Sequence, residues 1–338
     1  MCGITGFIDF NGKSTREILK RMTHVIAHRG PDDDGYEIRK FENATIGFGF
    51  RRLSIIDLSP QGHQPMINES TGDIIIFNGE VYNFKQLRSE LEKLGHKFKS
   101  QTDTEVVLKS FQEWGINCVN RFNGMFAIAI FNPLANKVHI LRDRPGVKPL
   151  FYYWDGNLFL FGSELKAFHQ HPDFQKEIDF DSLALYFHHG YIPNPYSIFK
   201  NTHKLPPGNR MEIDLRKQKI SISSYWNILN AFNQPKIDIP YTEAVDELEK
   251  ILIDSFNLRM ISDVPVGVFL SGGYDSSCVT ALLQKNSSTK LKTFTIGFED
   301  KNFNEAHHAK AVSEFLDTEH YEYMCSEKEV LDIIPLLP

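Results

Sequence analysis

Cysteine is scarce in this chain. Four occur in 338 residues, Cys2, Cys118, Cys278 and Cys325, with no C-x-x-C pair. That usage excludes a disulfide framework and a zinc-finger type of site, and it fits a reducing, cytoplasmic compartment. No run of about 20 apolar residues exists to span a bilayer. The N-terminus also lacks the basic stretch and apolar core of a signal peptide, so Asn43-Ala44-Thr45, a glycosylation pattern, carries no meaning. Positive charge is not in excess. Thirty-seven Lys and Arg against 43 Asp and Glu leave −6, which gives no electrostatic reason to expect nucleic acid or a membrane as partner. Repeats and low-complexity segments are absent. What remains is a globular composition, 41% hydrophobic and 24% charged, long enough for about two domains.

The first part of the chain reads as strands with separate helices. Ile4–Phe10, Thr45–Phe50, Ile74–Phe77, Met125–Phe131 and Val138–Leu141 are short apolar segments of strand type. Leu150–Trp154 and Leu158–Phe161 flank Asp155-Gly156, a hairpin signal. Ser14 is placed to cap a helix with Ile18, Met22 and Ile26 on its inner face. Further helices follow Asn83 and follow Thr102 or Asp103. This pattern predicts α+β with antiparallel sheets. From about Thr242 a long amphipathic helix leads into strand–helix alternation: Val264–Leu270, Ser276–Gln284, Lys292–Phe298, Glu305–Phe315, His320–Tyr323 and Glu327–Ile334. That is the mark of a parallel α/β sheet. We expect domains at 1–215 and 241–338, with 216–240 as linker. Only three strand–helix pairs precede Pro338, so the second domain is expected to be incomplete, with an uncovered sheet.

Two places carry chemistry. Cys2 follows Met1 directly, and so small a side chain lets Met1 be trimmed. Cys2 then bears a free amine titrating near ~8 beside a thiol near ~8.5, a nucleophile with its own base. The second place is Ser271-Gly272-Gly273-Tyr274-Asp275-Ser276-Ser277, between a strand and a helix. Its glycines, exposed amides and three hydroxyls suit phosphate oxygens, and Asp275 suits Mg²⁺ held on that phosphate. No Gly-Lys-Ser/Thr follows, so it is not a Walker A loop. His24 and His28 lie four apart without a third ligand and read as helix surface. His188-His189 and His307-His308 read as polar surface, and Cys118, Cys278 and Cys325 as buried small residues.

Together these motifs resemble the glutamine-hydrolysing asparagine synthetases. Six further segments agree in order: His28-Arg29-Gly30-Pro31-Asp32, Arg52-Leu53-Ser54-Ile55-Ile56-Asp57, Gly62-His63-Gln64-Pro65, Asn78-Gly79-Glu80-Val81-Tyr82-Asn83, Arg142-Asp143-Arg144 and Gly162-Ser163-Glu164-Leu165-Lys166. Any one is weak, and their order and spacing are specific. The resemblance implies an N-terminal-nucleophile four-layer sandwich, two antiparallel sheets with helices, carrying a class II glutamine amidotransferase. An α/β ATP-pyrophosphatase (PP-loop) domain, here only its N-terminal part, would follow.

The resemblance also implies roles. Cys2 would attack the glutamine side-chain amide, with Asn78 and the Gly79 amide as oxyanion hole. Arg52 would pair with the substrate α-carboxylate, Glu80 and Asp103 with its α-ammonium, and Ile55 would line the pocket. Leu270, Ser271, Gly272, Gly273, Asp275, Ser276 and Ile296 would meet ATP. Aspartate would be activated as β-aspartyl-AMP and amidated by ammonia passing through an internal channel. Homodimers are common in the family. Taken singly, Arg52 reads as well as a surface arginine, Asp103 as a helix cap, and Asn78-Gly79 as a turn. Leu270 and Ile296 read as core-strand residues whatever their role. Pro145 departs from the family, which more often has an aromatic or aliphatic residue there.

The family continues past residue 338 with an acidic motif and a further nucleotide loop. The expectation is therefore glutaminase chemistry without asparagine synthesis by these 338 residues alone. Two other readings stay open: amidation of another carboxylate such as a sugar uronate, and a glutamine-binding remnant without turnover.

Overall fold

The computed structural model describes residues 2–300 and 304–336, so Met1 and the final Leu337-Pro338 lie outside the described residues. It divides into two compact units, Met1–Gln234 and Pro235–Pro338.

In the first unit the strands are β1 (Gly3–Asp9), β2 (Asp33–Phe41), β3 (Ala44–Arg52), β4 (Met66–Ile67), β5 (Ile74–Val81), β6 (Gly124–Asn132), β7 (Lys137–Arg142), β8 (Phe151–Trp154), β9 (Leu158–Gly162), β10 (Thr202–Lys204), β11 (Asn209–Asp214) and β12 (Lys219–Ser224). The helices are α1 (Arg16–His24), α2 (Phe84–Lys93), α3 (Asp103–Trp114), α4 (Phe180–His189) and α5 (Ile228–Phe232). Two six-stranded sheets form, ordered β10-β8-β9-β1-β3-β2 and β12-β11-β7-β6-β5-β4. Every pairing within them is antiparallel.

Strand alternation explains the layering. On β1, Ile4 and Ile8 face the core between the sheets, together with Ile46, Phe48, Ile74, Ile76, Ala127 and Phe159. Phe7, of opposite parity, faces the other way and packs with Ile18, Leu19 and Met22 of α1 and with Ile26 just beyond it. On the second sheet α3 covers β5. The result is helix, sheet, sheet, helix, the expected sandwich. β12 lies within the stretch read from sequence as linker, because it completes the edge of the second sheet against β11.

Local chemistry sets the helix starts. Thr15, not Ser14, caps α1 and accepts from Ile18 N. Ser14 is buried instead, donating to Asp9 Oδ2 at 2.8 Å and meeting His171 Nε2 at 2.8 Å. Asp9 also accepts from the backbone of Asn11, Lys13 and Ser14, so the turn before α1 consumes the hydroxyl that would have capped it. Thr102 caps α3 by accepting from Glu105 N at 3.1 Å, a contact worth about 1 kcal/mol.

The second unit contains α6 (Tyr241–Arg259), β13 (Gly267–Phe269), α7 (Tyr274–Lys285), β14 (Lys292–Phe298), α8 (Ala306–Phe315), β15 (Glu319–Cys325) and α9 (Glu327–Ile333). Its three strands are parallel, in the order β13-β14-β15. Along β14, Thr293, Thr295 and Gly297 are buried, while Phe294, Ile296 and Phe298 are exposed. One face of the sheet is covered and the other is open. Ile296 is therefore not a core residue, contrary to the sequence reading: it lies on the open face and is 55% exposed. Cys118 is buried as expected, but Cys278 is exposed and Cys325 only partly covered, since the side chains that α7 buries are Thr280 and Leu283.

Candidate active site

Cys2 stands immediately before β1 and has the parity of Ile4 and Ile8, so it packs at the end of the inter-sheet core. Asn78 has the parity of Ile74 and Ile76 on β5 and enters the same core from the opposite sheet. Both residues line one cavity of about 220 Å³, together with Arg52, Leu53, Ile55, Gly62, Gln64, Gly79, Glu80, Asp103 and Lys148. The Cys2 thiol is fixed by the Leu53 backbone: it accepts from Leu53 N at 3.3 Å and lies 3.6 Å from the Leu53 carbonyl oxygen. Burial pushes the thiol pKa up, and the Leu53 N–H opposes that by favouring the thiolate. No histidine lines the cavity among the described residues, which leaves proton transfer to another group.

Two motifs hold Cys2 in place. Arg29 Nε donates to the Cys2 carbonyl at 3.0 Å, and its Nη1 donates to Glu164 at 3.0 Å. His28, read as surface, is exposed and also pairs with Glu164 at 2.9 Å. Ser163 Oγ accepts from Ile4 N at 3.0 Å, pinning the first turn of chain after Cys2. The role of Arg29 was carried in the sequence by its motif alone.

Asn78 is fully buried, yet neither its Nδ2 nor its Oδ1 has a partner. A buried amide left unmet is costly unless something fills the cavity. Gly79 follows with φ +155°, and a Cβ there would lie 2.1 Å from the Met125 carbonyl oxygen, so only glycine fits. Arg52 is buried, with Nη1 donating to the Ser59 carbonyl at 2.9 Å and Nη2 to that of Asp57. Each Nη carries a second hydrogen. Gly62 gives the guanidinium room, since a Cβ would meet Nη2 at 1.9 Å.

Asp103, in the first turn of α3, accepts from Val81 N at 3.0 Å. Burial, with help from the neighbouring Glu80 carboxylate, pushes its pKa up to about 7. Burial raises that of Glu80 too, and Lys148 offsets it.

In the second unit, Ser271, Gly272 and Gly273 lie between β13 and α7, and Tyr274–Ser277 form the first turn of α7. Ser271 and Ser276 hydroxyls meet at 3.0 Å, Ser276 Oγ accepts from Ser271 N at 3.2 Å, and Ser271 Oγ accepts from Gly273 N at 3.3 Å. Gly272 takes φ +79°, and a Cβ there would come within 2.6 Å of His308 Cβ on α8. Asp275 is exposed at the start of α7, and Ser277 Oγ is buried without a partner. Leu270 is buried and donates its N–H to the Phe294 carbonyl at 2.9 Å, so only its backbone borders the loop.

Comparison with known proteins decides the family. Residues 1–226 match the glutamine amidotransferase domain family and residues 247–338 the asparagine synthase family. The chain belongs to the glutamine-hydrolysing asparagine synthetase family. A putative asparagine synthetase of Methanocaldococcus jannaschii is 41% identical over 99% of this chain and 67% of its own length. Asparagine synthetase 3 of Bacillus subtilis is 36% identical over 98% of this chain and 55% of its own length. The chain thus spans roughly half to two thirds of these relatives. A solved structure described as the allosteric regulatory enzyme of purine biosynthesis shares the fold, with TM-score 0.51, 15% identity, and 96% of this chain and 80% of that chain covered.

The chain carries a glutamine amidotransferase unit and part of an asparagine synthase-type unit. The cavity unites all seven glutaminase residues expected from sequence, Cys2, Arg52, Ile55, Asn78, Gly79, Glu80 and Asp103. It adds Lys148, which no sequence signal singled out. Among the described residues no helix is long and apolar enough to cross a membrane.

Proposed function

We propose that Cys2, freed of Met1, hydrolyses the side-chain amide of glutamine, and that the released ammonia serves an ATP-dependent amidation of aspartate. The observation that carries this reading is the unpartnered amide of buried Asn78 in the same cavity as the Cys2 thiol.

The α-amino group of Cys2 takes the thiol proton, and sulfur adds to the amide carbon. The oxygen, now anionic, accepts from Asn78 Nδ2 and Gly79 N, a donor pair of the kind that supplies a large part of acyl-transfer catalysis. The amine returns its proton to the leaving nitrogen as ammonia departs, and water clears the glutamyl thioester. Arg52 meets the α-carboxylate with the hydrogens its carbonyl partners leave over. Asp103 and Glu80 meet the α-ammonium, and Ile55 lines the wall.

In the second unit, Ser271, Gly272, Gly273, Asp275 and Ser276 take the ATP phosphates, and the Leu270 backbone and Ile296 border the nucleotide. No group of three His, Cys, Asp or Glu side chains suited to a metal occurs among the described residues. A Mg²⁺ that keeps waters and phosphate oxygens needs only one or two carboxylates, so Asp275 fits as its protein ligand. The ion would neutralise phosphate charge there. A cytoplasmic location is supported by four unpaired cysteines, and a homodimer by the family resemblance, which sedimentation would test.

Glutamate release from glutamine by the processed chain, beside Cys2→Ala, is the deciding experiment. Turnover that requires Cys2 supports the reading. Glutamine binding without turnover in the folded, processed protein would replace it with a binding function. Offering aspartate or a uronic acid with ATP to a longer relative then separates the two acceptor classes.

A further inference from the structure

Arg142 and Asp143 perform no chemistry of their own; they build a shelf. Asp143 is fully buried, and its carboxylate accepts from Phe126 N at 3.1 Å, Val147 N at 2.8 Å and Lys148 N at 3.0 Å. Arg142 donates to the carbonyls of Gly146 at 2.9 Å, Lys148 at 2.9 Å and Leu205 at 2.6 Å. Both the N–H and the C=O of Lys148 are therefore held by buried charged groups. A segment fixed in this way delivers a side chain to one place. Lys148, only 4% exposed, lies in the wall of the cavity that contains Cys2 and Glu80. Burying an ammonium is unfavourable unless nearby negative charge compensates it.

We propose that Lys148 is a positioning residue for the nucleophile: its ammonium, aimed by the Arg142–Asp143 shelf, favours the thiolate of Cys2. The inference rests on the reading of Cys2 as nucleophile. Charge balance in the cavity supports it. Arg52 and Lys148 offset Glu80 and Asp103 when all four are ionised. Without Lys148, a thiolate forms in a cavity that is already negative. Cys2 and Lys148 each favour the other's charged form, as do Glu80 and Asp143 for Lys148, while Arg29 opposes it. Asp103, from α3, opposes the thiolate. Lys148 is thus the side-chain cation that acts on the sulfur, beside the terminal amine, and it counters Asp103.

The test is the pH dependence of Cys2 alkylation by iodoacetamide in the processed full chain, read by mass on the N-terminal peptide so that exposed Cys278 does not interfere. Lys148→Met should raise the midpoint by about one pH unit, and Lys148→Arg should restore it. Loss of packing alone would not track the charge in this way. An unmoved midpoint in a Lys148→Met chain that melts like the wild type overturns the proposal. If that chain does not fold, Lys148→Gln is read by the same criterion. Glutamate release by the wild type is followed in parallel. A chain whose Cys2 midpoint shifts as expected but which releases no glutamate contradicts the glutaminase reading and leaves the lysine's effect standing.

Discussion

Neither end of the buried Asn78 amide bonds to another protein group, so replacing it should affect catalysis more than folding. Asn78→Ala should lower kcat for glutamate release by roughly 10²–10³, with KM little changed, because an oxyanion donor acts mainly in the transition state. Steady-state kinetics with a thermal melt as control decides this. Asp103 gives a pH signature. With its pKa near 7 in the free protein, it is largely protonated below neutrality and cannot pair with an ammonium. KM for glutamine should fall as pH rises through about 7, and Asp103→Asn should flatten that dependence. Stability follows the opposite sign. The folded chain holds the Asp103 proton between the ordinary carboxylate pKa of 3.8 and about 7, where the unfolded chain has lost it. This contribution is complete below the unfolded value and is lost as pH rises through about 7. A urea titration across that window, compared with Asp103→Asn, checks it.

Among elements, the 143–148 segment is the one whose removal should be felt most. Asp143→Ala leaves three backbone donors without their acceptor, two of them buried, and unmet buried donors cost about 1–3 kcal/mol each. We expect a loss of at least about 2 kcal/mol in urea unfolding of the first unit. The same comparison shows what was legible in the sequence. Apolar runs such as Ile74–Phe77 and Met125–Phe131 announced β5 and β6, since strands buried on both faces are continuous in hydrophobicity. Strand β2, Asp33–Phe41, escaped because it is a largely polar edge strand, and β12 because nearly all of it is exposed. Cys2, Asn78 and Arg52 could be found because their neighbours form recurring motifs. Lys148 and the Leu53 backbone could not, since their importance comes from where loops are tied, which no local spacing records. Ile296 misled for a related reason: a strand pattern fixes the two faces but not which one is covered.

Across the whole molecule, the open face of the β13-β14-β15 sheet stands out. Phe269 is 78% exposed, and Phe294, Ile296, Phe298, Tyr321 and Tyr323 are 38–56% exposed. Such contiguous apolar surface invites association. The purified chain should bind ANS and grow in mass with concentration in light scattering, and Phe269→Lys with Ile296→Lys should reduce both. A monodisperse, ANS-silent wild type would count against this.

The strand order of the first sheet carries a consequence for synthesis. β1, which follows Cys2 directly, lies at the centre of its sheet, bonded on one side to β3 and on the other to β9, where Thr5 pairs with Gly162. The ribosome makes β1 first, but its second neighbour emerges more than 150 residues later. Until then one edge of the strand that carries Cys2 has no native partner, and Ser163 and Glu164, which steady it, do not yet exist. The N-terminus can be trimmed early, while the site it serves can be assembled only late. A nascent chain of this protein is thus born with Cys2 and acquires the surroundings of that residue only near the end of the domain.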